Sequence, residues 1–118
     1  MIFKESLPIY QQIADYICEQ ILAHRWFEGE RISSVRDLGS NLEVNPNTVM
    51  RSFEWLVSKD IISNKRGVGY FVTDNAKEQI IAYRRTRFLE EELPNVFSTM
   101  KLLHIDIEEI RTLYNKNS

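Results

Sequence analysis

Ser34-Val35-Arg36-Asp37-Leu38-Gly39-Ser40-Asn41-Leu42-Glu43-Val44-Asn45-Pro46-Asn47-Thr48-Val49-Met50-Arg51 decides the fold, because it holds two helix starts either side of a short turn. The Ser34 side chain can cap the free N–H groups of a helix whose first turn carries Asp37, an acid at the positive end of the dipole. Val35, Leu38 and Leu42 then recur on one helical face. Glu43-Val44-Asn45 reads as a tight turn, and Asn45-Pro46 restarts a helix with a capping residue followed by proline at the first position. The second helix is predicted from Pro46 to about Lys59, with Val49, Phe53, Leu56 and Val57 facing inward. Asn47, Thr48, Met50, Arg51, Glu54 and Trp55 fall on the opposite side of the wheel and are the residues free to read a partner.

Upstream, Leu7-Pro8-Ile9-Tyr10 opens another helix, with Ile9, Ile13, Ile17, Ile21 and Leu22 as its stripe, and Glu28-Gly29-Glu30 reads as a turn. Downstream, Ile61-Ile62-Ser63-Asn64 and Tyr70-Phe71-Val72-Thr73 are β-prone runs joined by Lys65-Arg66-Gly67-Val68-Gly69, a basic loop suited to a hairpin. After Asp74 the period is helical again. A first tail helix carries Ile80, Ile81, Tyr83, Phe88 and Leu89 and should break at Leu93-Pro94; two shorter ones follow, over 94–103 and 106–114, the latter opened by Asp106-x-x-Glu109. The fold class is therefore mainly α with a small β-hairpin: a winged helix-turn-helix over residues 1–74 and a short helical tail over 75–118.

Composition supports one core with an appendage: 118 residues, 43% hydrophobic and 27% charged, are ordinary for a folded globular chain. No apolar run approaches the roughly 20 residues that cross a bilayer, and Met1-Ile2-Phe3-Lys4-Glu5 has no signal-peptide character, so no membrane partner and a cytoplasmic location are expected. The formal net charge of −2 argues against a simple electrostatic nucleic-acid binder. Between Arg31 and Val72, however, Arg31, Arg36, Arg51, Lys59, Lys65 and Arg66 outnumber Asp37, Glu43, Glu54 and Asp60, a local charge of +2.

A helix-turn-helix lays its second helix in the major groove, with the N-terminal residues of that helix at the base edges. Asn47 can pair with adenine in bidentate fashion, Arg51 can reach guanine or phosphate, and Thr48 can do either less specifically. Ser34, Arg36, Lys65 and Arg66 suit phosphate contacts, which position without reading sequence, and Gly67 lets the wing backbone approach a groove wall. Plain capping would also account for Asn47-Thr48, and an ordinary exposed hairpin tip for Lys65-Arg66. Winged helices also serve as protein-binding modules, so the pattern leaves both partners open. No nucleophile triad, paired-acid cluster or phosphate-binding glycine loop stands out, which counts against an enzyme.

Four motifs in order then resemble the GntR family of bacterial regulators. They are Leu7-Pro8-Ile9-Tyr10-Gln11-Gln12-Ile13, Gly29-Glu30-Arg31-Ile32-Ser33-Ser34-Val35-Arg36-Asp37-Leu38, Val44-Asn45-Pro46-Asn47-Thr48-Val49 and Gly67-Val68-Gly69-Tyr70-Phe71-Val72. The short tail, with Tyr83-Arg84-Arg85 and Glu91-Glu92-Leu93-Pro94, is similar to the YtrA-like subfamily. The resemblance implies a transcription regulator, a repressor by expectation, that binds a palindromic operator in double-stranded DNA as a homodimer through its C-terminal helices and controls a nearby transporter operon. It implies DNA contacts at Arg36, at Asn45, Pro46, Asn47 and Thr48, and on the wing at Arg66 and Gly67; Arg51 is added from the helical wheel. Three positions depart from the family pattern: Ser33 stands for proline, Asp60 for a glycine at a left-handed helix terminus, and Met50 for a frequent arginine.

The remaining features have plain readings. Cys18, beside Ile17 and Ile21, reads as a structural thiol, and His24 and His104 are too far apart in sequence to suggest a metal site. No cofactor is implied. Tyr83, Phe88, Phe97 and Tyr114 read as dimer core before ligand pocket, and Lys77, Arg84, Arg85 and Arg87 as a solvated face. The tail is too short for a large effector-binding domain.

Overall fold

The computed structural model describes residues 7–118, so the Met1–Glu5 stretch weighed above lies outside the described residues. Helix α1 spans Ile9–Leu22, α2 Val35–Leu42 and α3 Pro46–Ser58; strands β1 and β2 span Ile62–Lys65 and Gly69–Val72. Helix α4 covers Ala76–Arg87, a π-helical turn Phe88–Glu92, α5 Leu93–Leu102 and α6 Ile107–Lys116. Residues up to Ile81 form one compact unit and Ala82–Ser118 a second.

The first unit is a winged helix. Ile13, Ile17 and Ile21 of α1, Leu38 of α2, Val49, Phe53 and Leu56 of α3, Ile61, Ile62 and Val72 around the hairpin, and Ala76 and Ile80 of α4 share one core. Cys18 is buried in it as a free thiol. Two readings of the wheels shift. Ile9, expected in the α1 stripe, is exposed. On α3, Val57 is 39% exposed while Ser52 is fully buried, and Trp55, expected on the reading face, packs partly against the core. The buried stripe is Val49-Ser52-Phe53-Leu56, and Ser52 can join it because its hydroxyl donates to the Tyr10 carbonyl at 2.7 Å.

Helices α1, α2, α3 and α5 end alike. The N–H groups of Arg25, Val44, Ile61 and Ile105 each reach back to a carbonyl five residues earlier, at 2.9–3.0 Å. The residue before each, His24, Glu43, Asp60 and His104, has φ between 56° and 61°. These are Schellman closures made without glycine. Asp60 takes the left-handed conformation at φ 59°, as its glycine-like position predicts.

The hairpin pairs Ile62 with Val72 and Lys65 with Gly69, antiparallel. Its far edge is also used, since Gly29 N–H donates to the Val72 carbonyl, Val72 N–H to that of Glu30, and Ile32 N–H to that of Tyr70. The wing thus has a third, irregular strand supplied by the segment before α2.

In the second unit the break expected at Leu93-Pro94 does not occur. Arg87, Glu92 and Leu93 all keep right-handed helical dihedrals, and Leu93 N–H donates to the Phe88 carbonyl across a widened turn. Pro94 cannot donate within a regular helix and its ring would strike the preceding turn; one extra residue opens that turn and lets the chain continue. Asp106 caps α6, its Oδ1 accepting from Glu109 N–H at 3.0 Å. Apart from Met100, the large apolar side chains of this unit are half-buried or exposed, with Leu102 at 79% and Tyr114 at 75%.

Candidate nucleic-acid interface

The reading surface starts with the turn between α2 and α3. Ser34 Oγ accepts from Asp37 N–H at 3.1 Å, fixing the start of α2 and leaving the hydroxyl proton for another acceptor. Arg36 stands exposed in the first turn of α2. At the other end, Gly39 is buried, and a Cβ built there would lie 2.9 Å from the Val44 carbonyl oxygen. The two helices approach this closely only because position 39 has no side chain. The Cβ-free contact, the Schellman closure at Glu43 and the Asn45 cap together set the angle at which α3 leaves the turn.

Asn45 Oδ1 accepts from Asn47 N–H at 2.8 Å, with Pro46 in the first position of α3. The cap uses the amide oxygen and leaves the NH₂ of the exposed Asn45 as a donor for another partner. Asn45, Pro46, Asn47 and Arg51 are exposed and Thr48 is half-buried, while Val49, Ser52 and Phe53 hold the opposite side in the core. Asn47, Thr48 and Arg51 line an open concavity of about 330 Å³ with Pro8, which precedes α1, and with Ile9 and Tyr10 of its first turn. Ser34, the cap of α2, and Arg36, in its first turn, lie outside it.

On the wing, Arg66 and Gly67 form the tip, and Val68 N–H closes the turn on the Lys65 carbonyl at 2.8 Å. Gly67 has φ +78°, as the third residue of a type II turn requires, with open space where a Cβ would stand. Its glycine is thus demanded by backbone conformation. Lys65, expected in the loop, is instead the last residue of β1; its Nζ lies 4.3 Å from the Phe71 ring centroid. Arg66 is the basic side chain at the tip itself.

Two features of this surface escape a reading of the sequence. Arg31 pairs with Phe71 at the edge of the wing and lays its guanidinium across Gly69, where a Cβ would come within 2.7 Å of Nε. Nothing local to either residue signals that crossing. Tyr70 meets the Phe53 ring edge-on at 4.7 Å and donates to the Met50 sulfur at 3.7 Å. Wing and recognition helix are therefore tied through Tyr70, and Met50 serves that tie. Among the described residues no group of three or more His, Cys, Asp or Glu side chains could hold a metal ion, and no helix is long and apolar enough to cross a membrane.

A helix braced on the core by one face and open on the other, joined by a tight turn to a helix before it and by a tied hairpin to an arginine tip after it, is the arrangement of a winged helix-turn-helix, the class in which DNA-binding regulators place the second helix in the major groove. The sequence pattern of the bacterial regulatory proteins of the gntR family matches residues 9–72. The HTH-type transcriptional regulator YhcF of Bacillus subtilis is 32% identical over 108 residues, covering 92% of this chain and 88% of that one. The HTH-type transcriptional repressor YtrA of the same organism is 29% identical over 107 residues, 91% of this chain and 82% of its own. A crystal structure of a GntR-family regulator from Bacteroides thetaiotaomicron superposes with a TM-score of 0.77 at 45% identity, over 92% of this chain and 95% of the other. The chain belongs to the GntR family of bacterial transcription regulators, with relatives of the YtrA-like subfamily matching through its tail. These relatives are regulators, not enzymes.

Proposed function

We propose that the protein is a repressor that binds a palindromic operator as a homodimer, with residues 1–74 contacting DNA and residues 75–118 pairing the protomers. The carrying observation is the outer face of α3, where Asn47 in the first turn and Arg51 in the second stand exposed while Val49, Phe53 and Leu56 are fully buried. Asn47 and Thr48 read base edges, Arg51 lies one turn further along, and Asn45 and Pro46 bring the chain to the groove. Ser34, Arg36, Lys65, Arg66 and the backbone at Gly67 position the protein on phosphates. Pairing is supported by apolar surface in the tail that a lone chain leaves to water: Val96, Phe97, Leu102, Leu103, Ile107 and Leu113 are all exposed. A palindromic operator asks for two recognition helices about one helical turn, roughly 34 Å, apart on one face of the duplex, the demand that a two-fold dimer meets. The subfamily likeness points to a nearby transporter operon as the target, and to the cytoplasm as the place of action.

The test is binding of the purified chain to the promoter fragment upstream of its own gene, beside the Arg36→Ala, Asn47→Ala, Arg66→Ala triple variant. The reading requires the triple variant to lose binding while keeping its helical circular dichroism. Equal binding by both would refute it.

A further inference from the structure

We propose that Tyr10 is a positioning residue that presents Arg51 to a DNA phosphate; the inference rests on the DNA-reading role of the α3 face. The Arg51 guanidinium carbon lies 4.0 Å from the Tyr10 ring centroid. That is well inside the range of a cation–π contact. A guanidinium held against a ring face keeps the N–H groups of its edge free, whereas a carboxylate partner would occupy them. Among the described residues no carboxylate pairs with Arg51.

The platform under Arg51 is itself fixed. Ser52, the next residue along α3 and fully buried, donates its hydroxyl proton to the Tyr10 carbonyl at 2.7 Å, tying the backbone of the platform to the helix that carries Arg51. Gln12, also buried, donates from Nε2 to the Leu7 carbonyl at 2.8 Å and holds the chain just before α1. Arg51 follows Asn47 by four residues, so both lie on one face of α3, and the concavity they share with Thr48 is floored by Pro8, Ile9 and Tyr10.

An arginine on a bare helix surface must surrender the freedom of a long side chain when it binds; one already resting on a ring surrenders less. The stack draws the guanidinium from α3 toward α1. That is the flank of α3 that faces α1, one turn beyond the first turn that carries Asn47, and a helix laid in the major groove turns its flanks to the backbones that bound the groove. Phosphate is therefore its partner, and Arg51 adds affinity for any duplex more than choice among duplexes.

The experiment uses the full chain and two labelled duplexes of equal length, the promoter fragment and a scrambled version, titrated by fluorescence anisotropy at several salt concentrations. Arg51→Ala is expected to weaken both duplexes alike and to reduce the salt slope by about 0.9 per half-site. Tyr10→Leu, which keeps an apolar side chain but removes the ring, is expected to weaken binding by about threefold per half-site. Tyr10→Phe should bind as the wild type does. In the Arg51→Ala background, Tyr10→Leu should cost nothing further, an outcome that general loosening of α1 would not produce. The inference is overturned if Tyr10→Leu costs as much without Arg51 as with it, if Tyr10→Phe is as weak as Tyr10→Leu, or if Arg51→Ala affects only the promoter duplex. Loss of binding by the Arg36, Asn47, Arg66 triple variant with no effect of Tyr10→Leu would remove this inference alone. No effect of that triple variant would remove the DNA reading beneath it.

Discussion

Replacing Gly39 by alanine should destabilise the protein even though alanine is the better helix former. The new Cβ would stand 2.9 Å from the Val44 carbonyl oxygen and 3.6 Å from both Pro46 Cα and Val49 Cγ2. Relief of the first contact takes a shift of roughly 0.5 Å to reach ordinary packing, and what must move is backbone. That backbone is committed: Val44 N–H donates to the Gly39 carbonyl at 2.9 Å, and Asn45 caps the next helix. Overpacking of this kind costs about 1–3 kcal/mol. The gain from replacing glycine inside a helix returns roughly 0.5–1 kcal/mol. A net loss of about 1 kcal/mol follows, or a drop in Tm of roughly 4–8 °C for a unit of this size. The assay is thermal unfolding of the full chain followed by far-UV circular dichroism, with Ser40→Ala as control. Ser40 neighbours Gly39 in α2 but is exposed, so that change should leave Tm unchanged or slightly raised. Because the shift falls on the turn that aims α3, Gly39→Ala should also weaken DNA binding. A Gly39→Ala protein with Tm at or above the wild type would show that the turn yields freely and that the close approach does not hold α3 in place.

Other consequences are as direct. Asp60→Gly should raise stability by about 0.5–1 kcal/mol, because the φ of 59° there strains any residue with a Cβ, and a denaturant midpoint will read it. Ser52→Ala should lower stability by about 1 kcal/mol through loss of the buried hydrogen bond to Tyr10, measured the same way. Arg66→Ala should reduce the slope of log affinity against log salt by about 0.9 per wing; an unchanged slope would place the tip away from phosphate. Leu103→Glu with Leu113→Glu puts charges on exposed apolar tail positions and should convert a dimer to a monomer in light scattering without melting the winged helix.

The helix-turn-helix was legible because its signals are local. Ser34 and Asn45 cap the helices that follow them, Pro46 fits the first position of α3, and each acts on residues two or three away. Gly67 marked the wing turn for the same reason, through its own φ. What eluded the sequence depends on neighbours far along the chain. Whether Ser52, Trp55 or Val57 faces the core is decided by where α1 lies, and the periodicity of α3 alone does not carry that. Lys65 reads as loop until its pairing with Gly69 is known. Arg31 joins the wing through Phe71 and Gly69 at a distance of some forty residues, a relation with no local mark. Proline at 94 does signal an interruption, but one the chain can absorb with a π turn as well as with a break. The left-handed closures at His24, Glu43 and His104 were invisible because none is glycine. In the candidate site, the residue types on α3 were readable from the helical wheel; Tyr10 beneath Arg51 was not, since it belongs to another helix.

Hydroxyl-radical footprinting of the promoter fragment, with salt varied, tests the central claim most directly. The account predicts two protected patches on one face of the duplex, centred about one helical turn, or roughly 34 Å, apart, and both fading together as salt rises. Protection of a single patch, protection indifferent to salt, or none at a protein concentration that saturates the dimer would contradict it.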